Sequence, residues 1–218
     1  MQKRTWINHT VGTALLLLSL VSQSAFAQVG EDDTDLDAML VKAKVKRPQR
    51  IDKTPFVELL AKAKKMKDSG ELDLSGTIEM SIAADRNPTG SLSNIMIAQK
   101  DQKPKLKELA TDLVTLVSQS RVLDFLEGAS PLQVTLRLDQ TKVTINASTE
   151  VASEKRAAQL ARVYNLLFYA GSVVKRGRDE EVLYKSAQAS AKGKMITVKF
   201  DAARRIIATL LSKHVEAP

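Results

Sequence analysis

Leu132-Gln-Val-Thr-Leu-Arg-Leu-Asp-Gln-Thr-Lys-Val-Thr-Ile-Asn-Ala147 is the stretch that decides the fold. Leu132, Val134, Leu136 and Leu138 alternate with Gln133, Thr135, Arg137 and Asp139. After Gln140-Thr141 the alternation resumes in Val143, Ile145 and Ala147. A period of two places apolar side chains on one face of a strand and polar ones on the other, so two such runs around a short polar turn form a hairpin with one buried face. Downstream, Ser153 is placed to cap a helix whose apolar stripe is Ala157, Leu160, Ala161, Tyr164, Leu167, Phe168, Gly171 and Val174. Tyr169 and Val173 widen that stripe, which predicts the most buried helix of the chain. The unit reads strand, turn, strand, helix.

The same unit recurs on both sides. Upstream, Leu72, Leu74, Ile78, Met80 and Ile82 alternate with polar residues, Asn87-Pro-Thr-Gly90 supplies a turn, and a second strand covers Leu92 to Ala98. Leu92 is out of phase with Ile95 and Ile97, which predicts a β-bulge. A helix beginning near Pro104 follows, with Leu106, Leu109, Leu113, Leu116 and Val117 facing the core. Downstream, Asp179-Glu-Glu181 opens a short helix or the chain enters a strand directly; the reading adopted is a strand from Tyr184 to Ala191. Lys192-Gly193 then turns the chain into Ile196, Val198 and Phe200, and Asp201 is expected to cap a final helix carrying Ala203, Ile206, Ile207, Leu210 and Leu211. Ahead of all three units, Thr54 and Pro55 begin a helix with Phe56, Leu59, Leu60, Ala63 and Met66 on one side, ending at Ser69-Gly70. Consecutive hairpins with one-sided alternation predict a single α+β domain over 54–218. Its antiparallel sheet should have about six strands, with helices on one face and an additional N-terminal helix.

The beginning of the chain reads as an address. Lys3 and Arg4 form a basic start, an apolar run lies within Val11 to Val21, and Ala25-Phe-Ala27 places small residues where a signal peptidase cuts. The apolar core falls short of the roughly 20 residues that span a bilayer, so 1–27 is expected to be a cleaved signal and the functional chain to begin near Gln28. Residues 28–53 are charge-segregated, with Glu31, Asp32, Asp33, Asp35 and Asp37 ahead of Lys42, Lys44, Lys46, Arg47 and Arg50, and are read as a flexible linker. Asp33, Asp35 and Asp37 imitate a calcium loop, but Ala38 and Lys44 stand where glycine and glutamate are required. The chain has 33 basic and 25 acidic residues; without Lys3 and Arg4 it keeps a net charge of +6, which favours anionic partners. No aromatic-and-basic motif points to nucleic acid. With Cys 0, no disulfide framework exists, and export without cysteine suggests a bacterial periplasm.

Catalytic constellations are scarce. His9 falls in the signal, leaving His214 near the end of the chain, so histidine acid/base chemistry and zinc sites are not expected. Ser172-Val-Val-Lys175 has the S-x-x-K spacing of penicillin-binding serine enzymes, with Lys192-Gly-Lys194 downstream, yet Ser172 lies near the end of its helix rather than at the start. Glu154, Asp179, Glu180 and Glu181 stand near helix starts, where carboxylates complement the dipole, and Asp124 and Glu127 read as surface residues. Asn146-Ala-Ser148 fits a glycosylation acceptor but sits on a strand. No catalytic, cofactor or metal residues are assigned. Lys175, Arg176 and Arg178 cluster at a helix end and are the candidate anion contact.

Leu74-Ser-Gly-Thr-Ile-Glu-Met-Ser-Ile82, the turn to Gly90, Leu92-Ser-Asn-Ile-Met-Ile97 and the Leu106 helix together resemble the C-terminal domain of TonB-family energy transducers, over Leu72 to Leu126. The resemblance implies docking by pairing a strand with an extended peptide of an envelope protein. The chain departs from that family in having no retained anchor and no long proline-rich spacer, with only Pro48 and Pro55 in that region. The expectation is a non-enzymatic periplasmic binding module that works through a sheet edge or the uncovered sheet face, with an envelope protein or peptide as partner. The alternatives are a peripheral binder of anionic membrane or envelope polymers, resting on Lys62, Lys64, Lys65 and Lys67 of the first helix, and a serine hydrolase using Ser172 and Lys175.

Overall fold

The computed structural model describes residues 40–41, 52, 54–100, 103–121, 123, 130–178 and 181–209. The expected signal 1–27, nearly all of the linker 28–53, and Asp124, Glu127, Asp179, Glu180, Leu210, Leu211 and His214 lie outside them. In chain order the elements are α1 (Thr54–Asp68), β1 (Ile78–Arg86), β2 (Leu92–Gln99), α2 (Pro104–Ser120), β3 (Ser130–Leu138), β4 (Lys142–Glu150), α3 (Glu154–Val174), α4 (Glu181–Lys185), β5 (Ala187–Lys192), β6 (Met195–Ala203) and the helical residues 204–209, α5.

The six strands form one sheet in the order β2-β1-β3-β4-β6-β5, with every neighbouring pair antiparallel. Each hairpin is local, while β1 pairs with β3 and β4 with β6 across the intervening helices. The register aligns the apolar positions in rows: Ile82, Val134, Ala147 and Val198 lie side by side, as do Met80, Leu136, Ile145 and Phe200. All therefore point to one face, and the helices cover it. α1 and α2 close the larger cluster over β1, β3 and β4, built on Phe56, Leu106, Ile78, Leu138 and Val143. α3 closes a second cluster over β5 and β6 with Leu160, Tyr164, Leu167, Ala189 and Ile196. Burying each large aliphatic side chain contributes about 1.5–3 kcal/mol, which makes the row alignment the main determinant of register.

Turn chemistry sets the hairpins. Asp139 Oδ1 accepts from the backbone N–H of Thr141 and of Lys142, each at 2.8 Å, fixing the β3–β4 reversal. Asn87 Oδ1 does the same for Thr89 and Ser91 at 3.0 Å, and Gly90 takes the left-handed φ of 82° that the loop requires. The predicted bulge is present: between Ala83 and Asp85 the register slips by one residue against β2, and Asn94 adopts φ 50°. Ser153 caps α3 as expected, its hydroxyl accepting from Arg156 N–H at 3.2 Å.

Five expectations need correction. Leu72 and Leu74 are buried but precede the first strand, because Gly76 turns the chain at φ 76° and β1 begins only at Ile78. Tyr184 lies in α4 instead of a strand: Glu181 accepts from Gly177 N–H at 2.7 Å and pairs with Lys185 at 2.6 Å, which holds one short helical segment before β5. Asp201 caps nothing; its N–H donates to Ser186 O within the ladder and β6 continues to Ala203. Leu40, read as part of a mobile linker, is helical and buried in the second cluster. Tyr169 and Val173 do not widen the buried stripe of α3, since they are 67% and 50% exposed.

Candidate docking site

The two edges of the sheet differ. At β5, the ladder begins with Asp201 N–H donating to Ser186 O, so by alternation the backbone groups of Ala187, Ala189 and Ala191 point away from β6. The central one is closed by α3: Asn165 Nδ2 donates to Ala189 O at 2.8 Å and Asn165 Oδ1 accepts from Ala189 N–H at 2.7 Å. A carboxamide presents one donor and one acceptor at the spacing of a peptide group, so at Ala189 the helix takes the place of a seventh strand.

At the opposite edge, Ser118 of α2 meets Leu92 in a similar way, its hydroxyl accepting from Leu92 N–H at 2.8 Å and lying 3.4 Å from Leu92 O. This tie closes only the first residue of β2. Lys100 N–H donates to Glu79 O, which fixes the phase of the β1–β2 ladder and turns the N–H and C=O of Ile97 and Gln99 outward. Among the described residues no element pairs with them. β2 is exposed from Ser93 to Met96, and Met96 is 68% exposed. An open row of backbone groups beside exposed apolar side chains is a template for another strand.

The uncovered sheet face is polar at its centre. Ser81, Gln133, Thr135, Asn146, Ser148 and Thr197 occupy its middle by register. One end carries a row of ion pairs: Glu79 pairs with Arg137 and with Lys100 at 3.4 Å, while Asp201 is 3.7 Å from Lys142 and 3.5 Å from Lys199. These pairs neutralise the row, and exposed pairs of this kind contribute about 0–1 kcal/mol each. Asn146 is on this face within β4, its Nδ2 3.4 Å from Thr135 Oγ1.

The candidate anion contact is split by the fold. Lys175 is the C-cap of α3 and its side chain is buried, whereas Arg176 and Arg178 are exposed. The one outward amide of that turn, Gly177 N–H, already holds the Glu181 carboxylate, whose pKa is lowered first by Lys185 and then by that amide. Ser172 is also buried, and its hydroxyl donates to Tyr169 O at 2.7 Å in the last turns of α3. In an S-x-x-K enzyme the serine opens a helix and faces a cleft; here it is tied back to the helix backbone. Among the described residues no three His, Asp or Glu side chains converge as metal ligands. Lys62 of α1 is held between Glu108 and Asp112 of α2 at 2.9 and 2.8 Å, so part of the lysine face serves helix packing.

Three features were not read from the sequence: Asn165, Ser118 and Arg204. Arg204 is buried, donating to Asp139 O at 2.9 Å and Leu74 O at 3.2 Å, and so joins the end of β6 to the β3–β4 turn and the segment before β1. The available signal for Asn165 was an amide inside a helix, where it is a poor helix former and needs a reason to be there. Among the described residues no helix is long and apolar enough to cross a membrane. Set against protein families, curated proteins and solved structures, the chain finds no match in any of the three.

Proposed function

We propose that this protein is a non-catalytic binding module that captures an extended segment of an envelope protein by adding it as a strand to β2. The observation that carries this reading is the asymmetry of the edges: Asn165 occupies the centre of the β5 edge, while Ile97 and Gln99 leave theirs open. Backbone pairing supplies affinity in this mode and alternate side-chain contacts supply selectivity. Exposed Ile95 and Met96, beside the bulge at Asn94, provide apolar contact on either side of an added strand. The segment resembling the TonB C-terminal domain includes β1, β2 and α2, and hence this edge. The basic start and Ala25-Phe-Ala27 support export of the chain, and N-terminal sequencing of the secreted product beginning near Gln28 tests that part separately.

A photo-crosslinking amino acid at Met96, with a control at Ser190 beside the closed edge, tests the binding mode in envelope extract. Cross-links at position 96 to discrete peptide segments, abolished by Ile97→Pro in a protein that remains folded, are expected. Equal labelling at both positions, or labelling that ignores Ile97→Pro, overturns the reading.

A further inference from the structure

Lys155, Arg162, Tyr169 and Val173 lie at intervals of seven, seven and four residues, which brings them onto one side of α3, and all four are exposed. Arg176 and Arg178, also exposed, continue the basic end of this side in the turn just past the helix. Among the described residues, no carboxylate shares the stripe. Glu154 stands at the first turn beside Gly193, and Glu181 is already engaged by Lys185 and Gly177 N–H. Tyr169 and Val173 are the large apolar residues of α3 left in solvent, and they sit between Arg162 and Arg176. We infer that this face of α3 rests on an anionic lipid bilayer, with the cations over the headgroups and Tyr169 and Val173 inserted at the boundary of the acyl region.

Two observations choose this occupant. Among the described residues Lys155, Arg162 and Arg178 have no ion pair, and Arg176 has only the through-space attraction of Glu181, which Lys185 already holds, so the face keeps a net positive charge that suits a surface of dense negative charge. A soluble polyanion would use them alone, whereas a bilayer also removes Val173 and the ring of Tyr169 from water while leaving the phenol at the wet boundary. The lysines of α1 make a poorer candidate: Lys62 is held by Glu108 and Asp112, and Glu58 and Asp68 are exposed on the same helix. The surface is separate from the β2 edge, which lies at the other end of the sheet. A partner strand and a membrane can therefore be engaged together.

The test is co-sedimentation of the purified protein with vesicles of phosphatidylcholine alone and with phosphatidylglycerol added. Binding is expected only to the anionic vesicles, falling as salt rises. Arg162→Ala with Arg176→Ala should weaken it about 25-fold, at about fivefold per cation. Tyr169→Ser with Val173→Ser should weaken it about tenfold without altering charge. Lys65→Ala on α1 should weaken it less than twofold. In a Trp6→Phe, Tyr169→Trp protein, whose reporter is then its sole tryptophan, emission should shift to the blue on anionic vesicles. Equal binding to neutral vesicles, or wild-type binding by both double variants, overturns the inference. So does loss with the arginines but not with Tyr169 and Val173, which assigns the face to a soluble polyanion. The altered side chains of Lys65, Arg162, Tyr169, Val173 and Arg176 are exposed, and an unchanged far-UV circular dichroism spectrum verifies that each variant is folded.

Discussion

At the scale of single residues, short polar side chains fix the structure more than the ion pairs do. Asp139 accepts two backbone N–H groups and the Thr141 hydroxyl, and these hydrogen bonds hold its carboxyl below the usual carboxylate range, the Thr141 and Lys142 amides first. A lowered folded-state pKa means that the stabilisation is fully present above the unfolded value, near about 4, and is lost as pH falls through the folded one. Asp73, bound by Ser75 and by Lys103 at 2.9 Å, is lowered in the same sense. Asp139→Asn retains an acceptor oxygen but cannot titrate. Its urea-unfolding stability should therefore decline less steeply than that of the wild type as pH falls below about 4, and identical slopes would show that Asp139 has no part in the acid response. Asp139 was legible in the sequence as a turn residue. Arg204 was not, because an arginine beside Ile206 and Ile207 looks the same in sequence whether its guanidinium meets solvent or the carbonyls of Leu74 and Asp139.

At the scale of elements, the hairpins were readable because strand alternation and turn chemistry are both local. The bulge in β2 was readable for the same reason, as a phase slip between Leu92 and Ile95. The failures came where two signals competed. Leu72 and Leu74 keep the alternation of β1 but are separated from it by Gly76, and burial on one side does not by itself make a strand. Asp201 has a capping side chain, yet the ladder bond from its N–H to Ser186 extends β6 past it. Tyr169 and Val173 fit the apolar stripe of α3 but point to solvent, and apolar composition alone could not reveal that. The β1–β2 ladder permits a paired test. Met96 N–H faces β1, so Met96→Pro removes an internal bond and should lower the melting temperature by several degrees. Ile97 N–H faces outward, so Ile97→Pro should cost less than Met96→Pro despite removing a partly buried side chain. The opposite ranking in thermal unfolding would mean that the ladder phase is wrong.

At the scale of the whole molecule, one sheet carries two packed clusters of unequal size on the same face. Leu138, fully buried where β3 meets β1 and β4, belongs to the larger, and Leu138→Ala should cost about 2–5 kcal/mol in chemical denaturation, with no loss of cooperativity. The order of strands could not be read from the sequence, since the β1–β3 and β4–β6 pairings depend on contacts across α2 and α3, while the α+β class and the single covered face could. The Asn165 closure has a consequence for stoichiometry. A sheet with two free edges is divalent and can propagate into a fibre, whereas here Asn165 interrupts the β5 edge at its centre, leaving outward Ala187 and Ala191 without a continuous ladder between them, so the valence for strand addition is one: the sheet takes one strand at β2 and stops. Complexes formed at β2 should therefore saturate at one strand per chain, and a second copy of the protein could only terminate the assembly as a pair. Asn165→Ala restores the second valence, so light scattering of that variant at high concentration should reveal species larger than a dimer, and a particle no larger than the wild type would show that the edge is closed by something else.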